Sequence, residues 1–351
     1  MTYFRPAVDA ATGYIPGEQP KPGTKIIKLN TNENPYPPSP LGMKVLHNLD
    51  SEWLRRYPDP YAKEFCGAIS EVLEVPNDWI IVSNGSDELL NVIIRACAEG
   101  KERPVVYPMP TYILYRTLAA LQPAEAVEIN YPQNFQLPID ELVAAQGAVT
   151  FIASPNSPSG HVVPLDDLRE LAQRVSGVLV IDEAYVDFAE YSALPLVQEL
   201  DNVIILRTLS KGYSLAGLRL GFGIANPKLL SGLFKVKDSY NIDVIATLVG
   251  AAAMRDQDYK NECAEKIKRS RAKLTIDLKN SGFTVLNSHG NFVLATPPQG
   301  NAEDLFLQLK TQGILVRYFK QPGLEDKLRI TVGTEEQNQT LLQTLQAIAM
   351  H

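Results

Sequence analysis

Between residues 79 and 224 the chain repeats one pattern: a short, nearly unbroken apolar run, a small or polar turn, then a stretch with helical spacing. The apolar runs lie at 79–83, 105–107, 126–129, 149–153, 178–181, 203–206 and 220–224. A strand with one wet face alternates apolar and polar residues, whereas a strand buried on both faces is apolar throughout. The intervening stretches suit crossover helices, as at 166–175 and at Leu89, Val92, Ile93, Ala96 and Cys97, which recur with helical period. Strands joined through helices run parallel. The pattern therefore predicts an α/β fold with a mainly parallel central sheet.

Near residue 255 the pattern changes. An amphipathic helix through Cys263, Ile267, Leu274 and Leu278 reaches a stop at Gly282. Strands at 283–286 and 291–296, a helix at 302–311, strands at 313–319 and 327–332, and a helix at 335–350 follow. This succession predicts a smaller α+β domain over 241–351, beside a large domain over 41–240. Residues 1–40 read as an extended arm packing on the small domain, with prolines 35, 37, 38 and 40 keeping it out of a helix.

The composition, 45% hydrophobic and 21% charged, is that of an ordinary soluble protein. A net charge of -7 and the lack of a basic run argue against nucleic acid and anionic membranes as partners. The longest apolar stretch, 244–254, is broken by Thr247 and Gly250 and falls short of the roughly 20 residues that span a bilayer. Three scattered cysteines form neither a disulfide framework nor a metal site, and no secretory signal opens the chain. A cytoplasmic location without a metal is expected.

In open α/β sheets ligands sit at the carboxyl ends of the strands. After the first run comes Gly85-Ser86-Asp87, either a phosphate site at a helix N-terminus or an ordinary capped helix start. After residue 153 two prolines freeze a turn around Asn156, a rigid amide or a turn without function. Asp182 and Tyr185 follow the 178–181 run. An acid leaving a buried strand needs a partner, which is a ring cation or a structural ion pair. Lys211 lies between Thr208-Leu-Ser210 and Arg219. Lysine, hydroxyls and arginine together are what binds an aldehyde cofactor carrying a phosphate. A Ser-Lys pair is equally at home in a solvated loop.

Taken in order, these residues resemble the fold-type I pyridoxal-phosphate enzymes, and within them the aminotransferases, most closely the histidinol-phosphate aminotransferase group. The resemblance runs from Leu29-Asn-Thr-Asn-Glu-Asn-Pro35 through Arg56-Tyr-Pro-Asp59 to Leu328-Arg-Ile-Thr-Val-Gly333. One departure is Ser157-Pro-Ser-Gly160, where the family usually has Asn-Pro-Thr-Gly; it retains a hydroxyl and a turn.

The resemblance implies that Lys211 carries pyridoxal 5'-phosphate as an imine and moves the proton, and that Asp182 pairs with the ring nitrogen. It implies that Tyr185 and Asn156 bond the ring oxygen, and that Gly85, Ser86, Asp87, Ser210 and Arg219 hold the phosphate. Tyr112 stacks on the ring or is a core tyrosine at a helix start. Tyr57 reaches the phosphate from the neighbouring subunit, which makes a homodimer with a shared site. Arg329 clamps the substrate's anionic group. Tyr14, Asn32 and Arg317 are substrate-side partners, although a strand arginine such as Arg317 also suits a surface.

The implied reaction transfers the amino group of L-histidinol phosphate to 2-oxoglutarate, giving imidazole-acetol phosphate and glutamate. Two alternatives share the same motifs, an aromatic amino-acid aminotransferase and a lyase resembling threonine-phosphate decarboxylases. A cofactor-binding regulator would need an appended DNA-binding domain and a basic surface, and the sequence shows neither.

Overall fold

The computed structural model describes residues 3–11, 13, 17–21 and 23–350. In chain order the strands are β1 (Ile27–Lys28), β2 (Ile80–Ser83), β3 (Gly100–Met109), β4 (Ala124–Asn130), β5 (Val149–Ala153), β6 (Val178–Asp182), β7 (Val203–Thr208) and β8 (Gly221–Ala225). Then come β9 (Thr284–Val285), β10 (Phe292–Thr296), β11 (Ile314–Leu315), β12 (Arg317–Tyr318) and β13 (Leu328–Thr331). A seven-stranded sheet has the order β2-β8-β7-β6-β5-β3-β4. Only β8 runs against its neighbours, so the sheet is mainly parallel.

Both faces of this sheet are covered. Along β6, Leu179 and Ile181 point into one core with Ile152, Ile205 and Phe222. Val180 points the opposite way, into a second core with Phe151, Ile204 and Leu206. The two-residue period of a strand sends neighbours to opposite faces, so apolar residues are needed at every position.

A third core gathers Ile267, Leu274 and Leu278 of the helix Gln257–Asn280 with Val293, Leu328, Ile330 and Leu341. It lies on an antiparallel sheet of order β12-β13-β10-β9. The helix ends before Gly282, whose φ of 87° reverses the chain.

Two expectations are corrected and a third is extended. Residues 244–254, expected in the small unit, belong to the helix Val244–Arg255 and pack on the large one. Ala246, Val249 and Met254 share a core with Phe65 and Leu220. The 313–319 strand is two strands, because β11 pairs with β1 of the arm while β12 turns to β13. The arm contacts both units: Leu29 enters the third core, whereas Pro6–Ala10 is a short helix lying on Leu114–Leu121. No helix among the described residues is long and apolar enough to cross a membrane.

Candidate active site

A cavity of about 280 Å³ opens where β5, β6 and β7 end, roofed by the arm and by β12 and β13. Asp182, the last residue of β6, forms its floor and is 5% exposed. The Tyr115 phenol donates to Oδ2 at 2.9 Å, and the Ala184 N–H donates to Oδ1 at 3.1 Å. Both donors are neutral. Burial therefore prevails, and it pushes the carboxyl up to about 6, with Asp87 and Glu183 adding repulsion. The structural ion pair open to Asp182 is made instead by its neighbour. Glu183 pairs with Arg207 at 2.9 Å and also accepts from Ser192 and the Ala193 N–H. Asp182 is thus a buried acid facing a cavity and suited to a cation.

A few residues away the wall becomes an anion cradle. Gly85 precedes the helix Ser86–Cys97, which has no side-chain cap, so neither Ser86 nor Asp87 closes that end. The first N–H groups and the positive end of the helix are left to whatever occupies the cavity beside Ser86 and Asp87. Gly85 has φ 74°, and a Cβ there would lie 2.5 Å from Arg219 Nη2. Gly221 lets β8 approach equally closely, since its Cβ would lie 2.5 Å from the Ser86 nitrogen. Arg219 itself is left-handed, with Nη1 3.4 Å from Ser210 Oγ and Nη2 3.4 Å from Asp87 Oδ2. Exposed ion pairs at that distance contribute little, which leaves the guanidinium able to serve an anion. Thr208 Oγ1 donates to Ser210 Oγ at 2.9 Å and fixes that hydroxyl.

Lys211 projects into the same space. Its Nζ donates to the Thr31 carbonyl at 3.1 Å and lies 5.9 Å from the Tyr185 ring centre. Asn34 of the arm donates to the carbonyls of Lys211 and Gly212, at 3.0 and 3.2 Å, and pins the backbone. Tyr185 is fixed through its hydroxyl, which accepts from Asn32 Nδ2 at 2.9 Å. Tyr112 lines the cavity, and its hydroxyl donates to Asp87 Oδ1 at 3.2 Å.

A second anion-binding end is made by two arginines. Arg329 Nη1 donates to Ser157 Oγ at 2.9 Å, and Nη2 donates to the Asn30 carbonyl at 3.0 Å. Arg317 lines the cavity beside it rather than the outer surface.

Two expected site residues, Asn156 and Asn32, stand elsewhere. The Asn156 amide is fully buried and turned away. Its Oδ1 accepts from Thr111, and its Nδ2 donates to the Pro110 carbonyl and Ser159 Oγ. Ser157, one residue on, is the member of that turn that reaches the cavity. Asn32 is not at the substrate side but behind Tyr185, held in a left-handed conformation by Thr331 and Asn291. Tyr57, expected to serve the neighbouring subunit's site rather than this one, is 84% exposed and lies against Tyr240. Tyr14 lies outside the described residues. Sequence reasoning missed Thr31, Ser157 and Tyr115. Tyr115 had one available signal, since it lies one helical turn beyond Tyr112 and so on the same side.

An acid suited to a ring cation, an anion cradle and an amine on one cavity suit pyridoxal phosphate. The chain belongs to the aminotransferase class I and II family, whose model matches residues 24–345. Within it, the chain groups with the histidinol-phosphate aminotransferases. It is 67% identical to histidinol-phosphate aminotransferase 1 of Trichormus variabilis, over 98% of both chains. It is 42% identical to the histidinol-phosphate aminotransferase of Citrifermentans bemidjiense, over 99% of both. The solved histidinol-phosphate aminotransferase of Sinorhizobium meliloti, in complex with pyridoxal-5'-phosphate, superposes with a TM-score of 0.89 at 25% identity, over 99% of both chains.

Proposed function

We propose that this protein is a pyridoxal-phosphate aminotransferase that takes the amino group of L-histidinol phosphate and passes it to 2-oxoglutarate. The observation that carries the reading is that the buried Asp182, the cradle residues Ser86, Asp87, Ser210 and Arg219, and Lys211 all border one cavity. The residues fit the cofactor. Asp182 suits a protonated ring nitrogen, the Ser86–Cys97 N-terminus with Ser210 and Arg219 suits the phosphate, and Tyr112 borders the space for the ring. Bound pyridoxal phosphate supplies an electron sink and a carbonyl that stores the amino group between the two half-reactions.

The rest falls to the chain. Lys211 Nζ would hold the cofactor and, when released, would take the proton from the donor's reacting carbon. Asp182, stabilised as a carboxylate by the ring cation, keeps that nitrogen protonated. Tyr185, aimed by Asn32, presents its hydroxyl beside the amine. Arg329 and Arg317 bind the donor's phosphate, and Arg329 alone afterwards takes the acceptor's carboxylate. The arm closes over Lys211 through Thr31 and Asn34 and limits water.

The active unit is a homodimer in a reducing compartment such as the cytoplasm. Leu41, Trp53, Leu54, Tyr57, Tyr61 and Tyr240 are all large and exposed. So many apolar side chains on the surface suit a protein interface, and through it Tyr57 reaches the partner's cradle.

The test is a comparison of donors. With 2-oxoglutarate as acceptor, kcat/KM for L-histidinol phosphate exceeds that for phenylalanine by about a hundredfold or more, because a phenyl donor leaves no phosphate for the second arginine. A preference for phenylalanine overturns the substrate assignment. The cradle has its own test. Gly85→Ala strains a left-handed position and displaces Arg219, so affinity for the cofactor falls about tenfold or more in a spectrophotometric titration. Unchanged affinity would contradict the cradle's role.

A further inference from the structure

Arg317 on β12 and Arg329 on β13 are register partners in an antiparallel pair, so both side chains leave the same face of the sheet. Both line the cavity. Two cations placed directly opposite repel, and their planes need an external hold. Phe319, two residues beyond Arg317, shares the face, and its ring centre lies 5.5 Å from each guanidinium carbon. Phe292 covers Arg329 from β10 at 5.4 Å. Each ring presents a negative face to the cations. Arg329 is further oriented by Ser157 Oγ and the Asn30 carbonyl.

A single planar guanidinium matches the two oxygens of a carboxylate. A phosphate monoester offers three terminal oxygens and a second charge, and it takes two guanidiniums at a set angle. We propose that Phe319 is the specificity-determining positioning residue of this end, holding Arg317 and Arg329 together so that the cavity prefers a phosphate monoester to a carboxylate. The inference rests on the reading of a phosphorylated donor and adds what makes that donor preferred.

Phe319→Leu keeps an apolar side chain and removes the ring face, whereas Phe319→Tyr restores it. In the cofactor-loaded enzyme the cradle is filled, so a calorimetric titration with inorganic phosphate reports on the arginine end. The leucine variant weakens phosphate binding about tenfold and raises KM for L-histidinol phosphate by a similar factor, with kcat within about twofold. KM for 2-oxoglutarate changes by less than about twofold, and Phe319→Tyr matches the wild type. Unchanged phosphate affinity in Phe319→Leu, or an equal rise in KM for donor and acceptor, overturns the proposal. The titration needs no turnover. A wild type that binds phosphate but does not use L-histidinol phosphate overturns the donor assignment alone, and the leucine variant still decides the role of Phe319.

Discussion

Lys211→Ala is expected to lower turnover by at least about 10⁴-fold, because it removes both the group that anchors the cofactor and the base that moves the proton. The fold is expected to survive. Among the described residues the side chain makes one hydrogen bond, to the Thr31 carbonyl, and Asn34 holds the local backbone without it. A bond of that kind contributes about 1 kcal/mol, a small change in thermal stability. Lys211→Arg separates charge from chemistry. It retains a cation at the same place but a guanidinium is neither a nucleophile nor a base at neutral pH, so it fails as badly as alanine. Steady-state rates with thermal melts check this, and borohydride reduction followed by peptide mass analysis locates the cofactor on Lys211 in the wild type alone. An arginine variant with substantial turnover would show that charge, not proton transfer, is the lysine's contribution.

Asp182→Asn should act in opposite directions on stability and on activity. The Asp182 carboxyl titrates near 6 in the folded chain against an ordinary 3.8. An acid whose pKa is raised by folding stabilises the fold fully only below the lower value, and that contribution is lost as pH rises through about 6. The cofactor-free protein therefore loses about 2 kcal/mol from this group between pH 4 and 7. Asparagine has no charge to desolvate, though it gives up one of the two hydrogen bonds from Tyr115 and Ala184. At pH 7 the cofactor-free variant is more stable than the wild type by about 1 kcal/mol, and its stability no longer falls across that window. With cofactor bound the order reverses, since only the carboxylate stabilises the ring cation, and turnover drops about 10³-fold. Melts of cofactor-free wild type and variant from pH 4 to 8, beside rates of the loaded enzymes, measure both arms. A variant that is less stable at pH 7 and fully active would contradict the assignment of Asp182.

The alternation of buried strands and crossover helices was legible because burial on both faces imposes composition residue by residue, as along β6. Positions immediately after strand ends were legible for the same reason. Lys211, Asp182, Tyr185 and the Gly85–Asp87 turn all follow apolar runs, and topology carries them to one edge. Directions within turns were not. In Ser154-Pro-Asn-Ser-Pro the prolines announce rigidity, but which of Asn156 and Ser157 faces the cavity depends on hydrogen bonds to Thr111 and Pro110, forty-odd positions away in sequence. Asn32 is similar, since its left-handed backbone and bonds to Thr331 turn it from the substrate toward Tyr185. The helix Val244–Arg255 is apolar nearly all round, which signals burial without saying against which domain. The face shared by Arg317 and Arg329 depends on strand register, which no local pattern contains.

The central claim is that this cavity moves an amino group from a phosphorylated donor. It is tested most directly by one half-reaction. Cofactor-loaded enzyme is mixed with L-histidinol phosphate without any acceptor, and the product and the bound cofactor are quantified by mass spectrometry. The account predicts about one equivalent of imidazole-acetol phosphate per active site, with the amino group retained on the cofactor and none released as ammonia. No conversion, release of ammonia, or conversion by phenylalanine alone would contradict it.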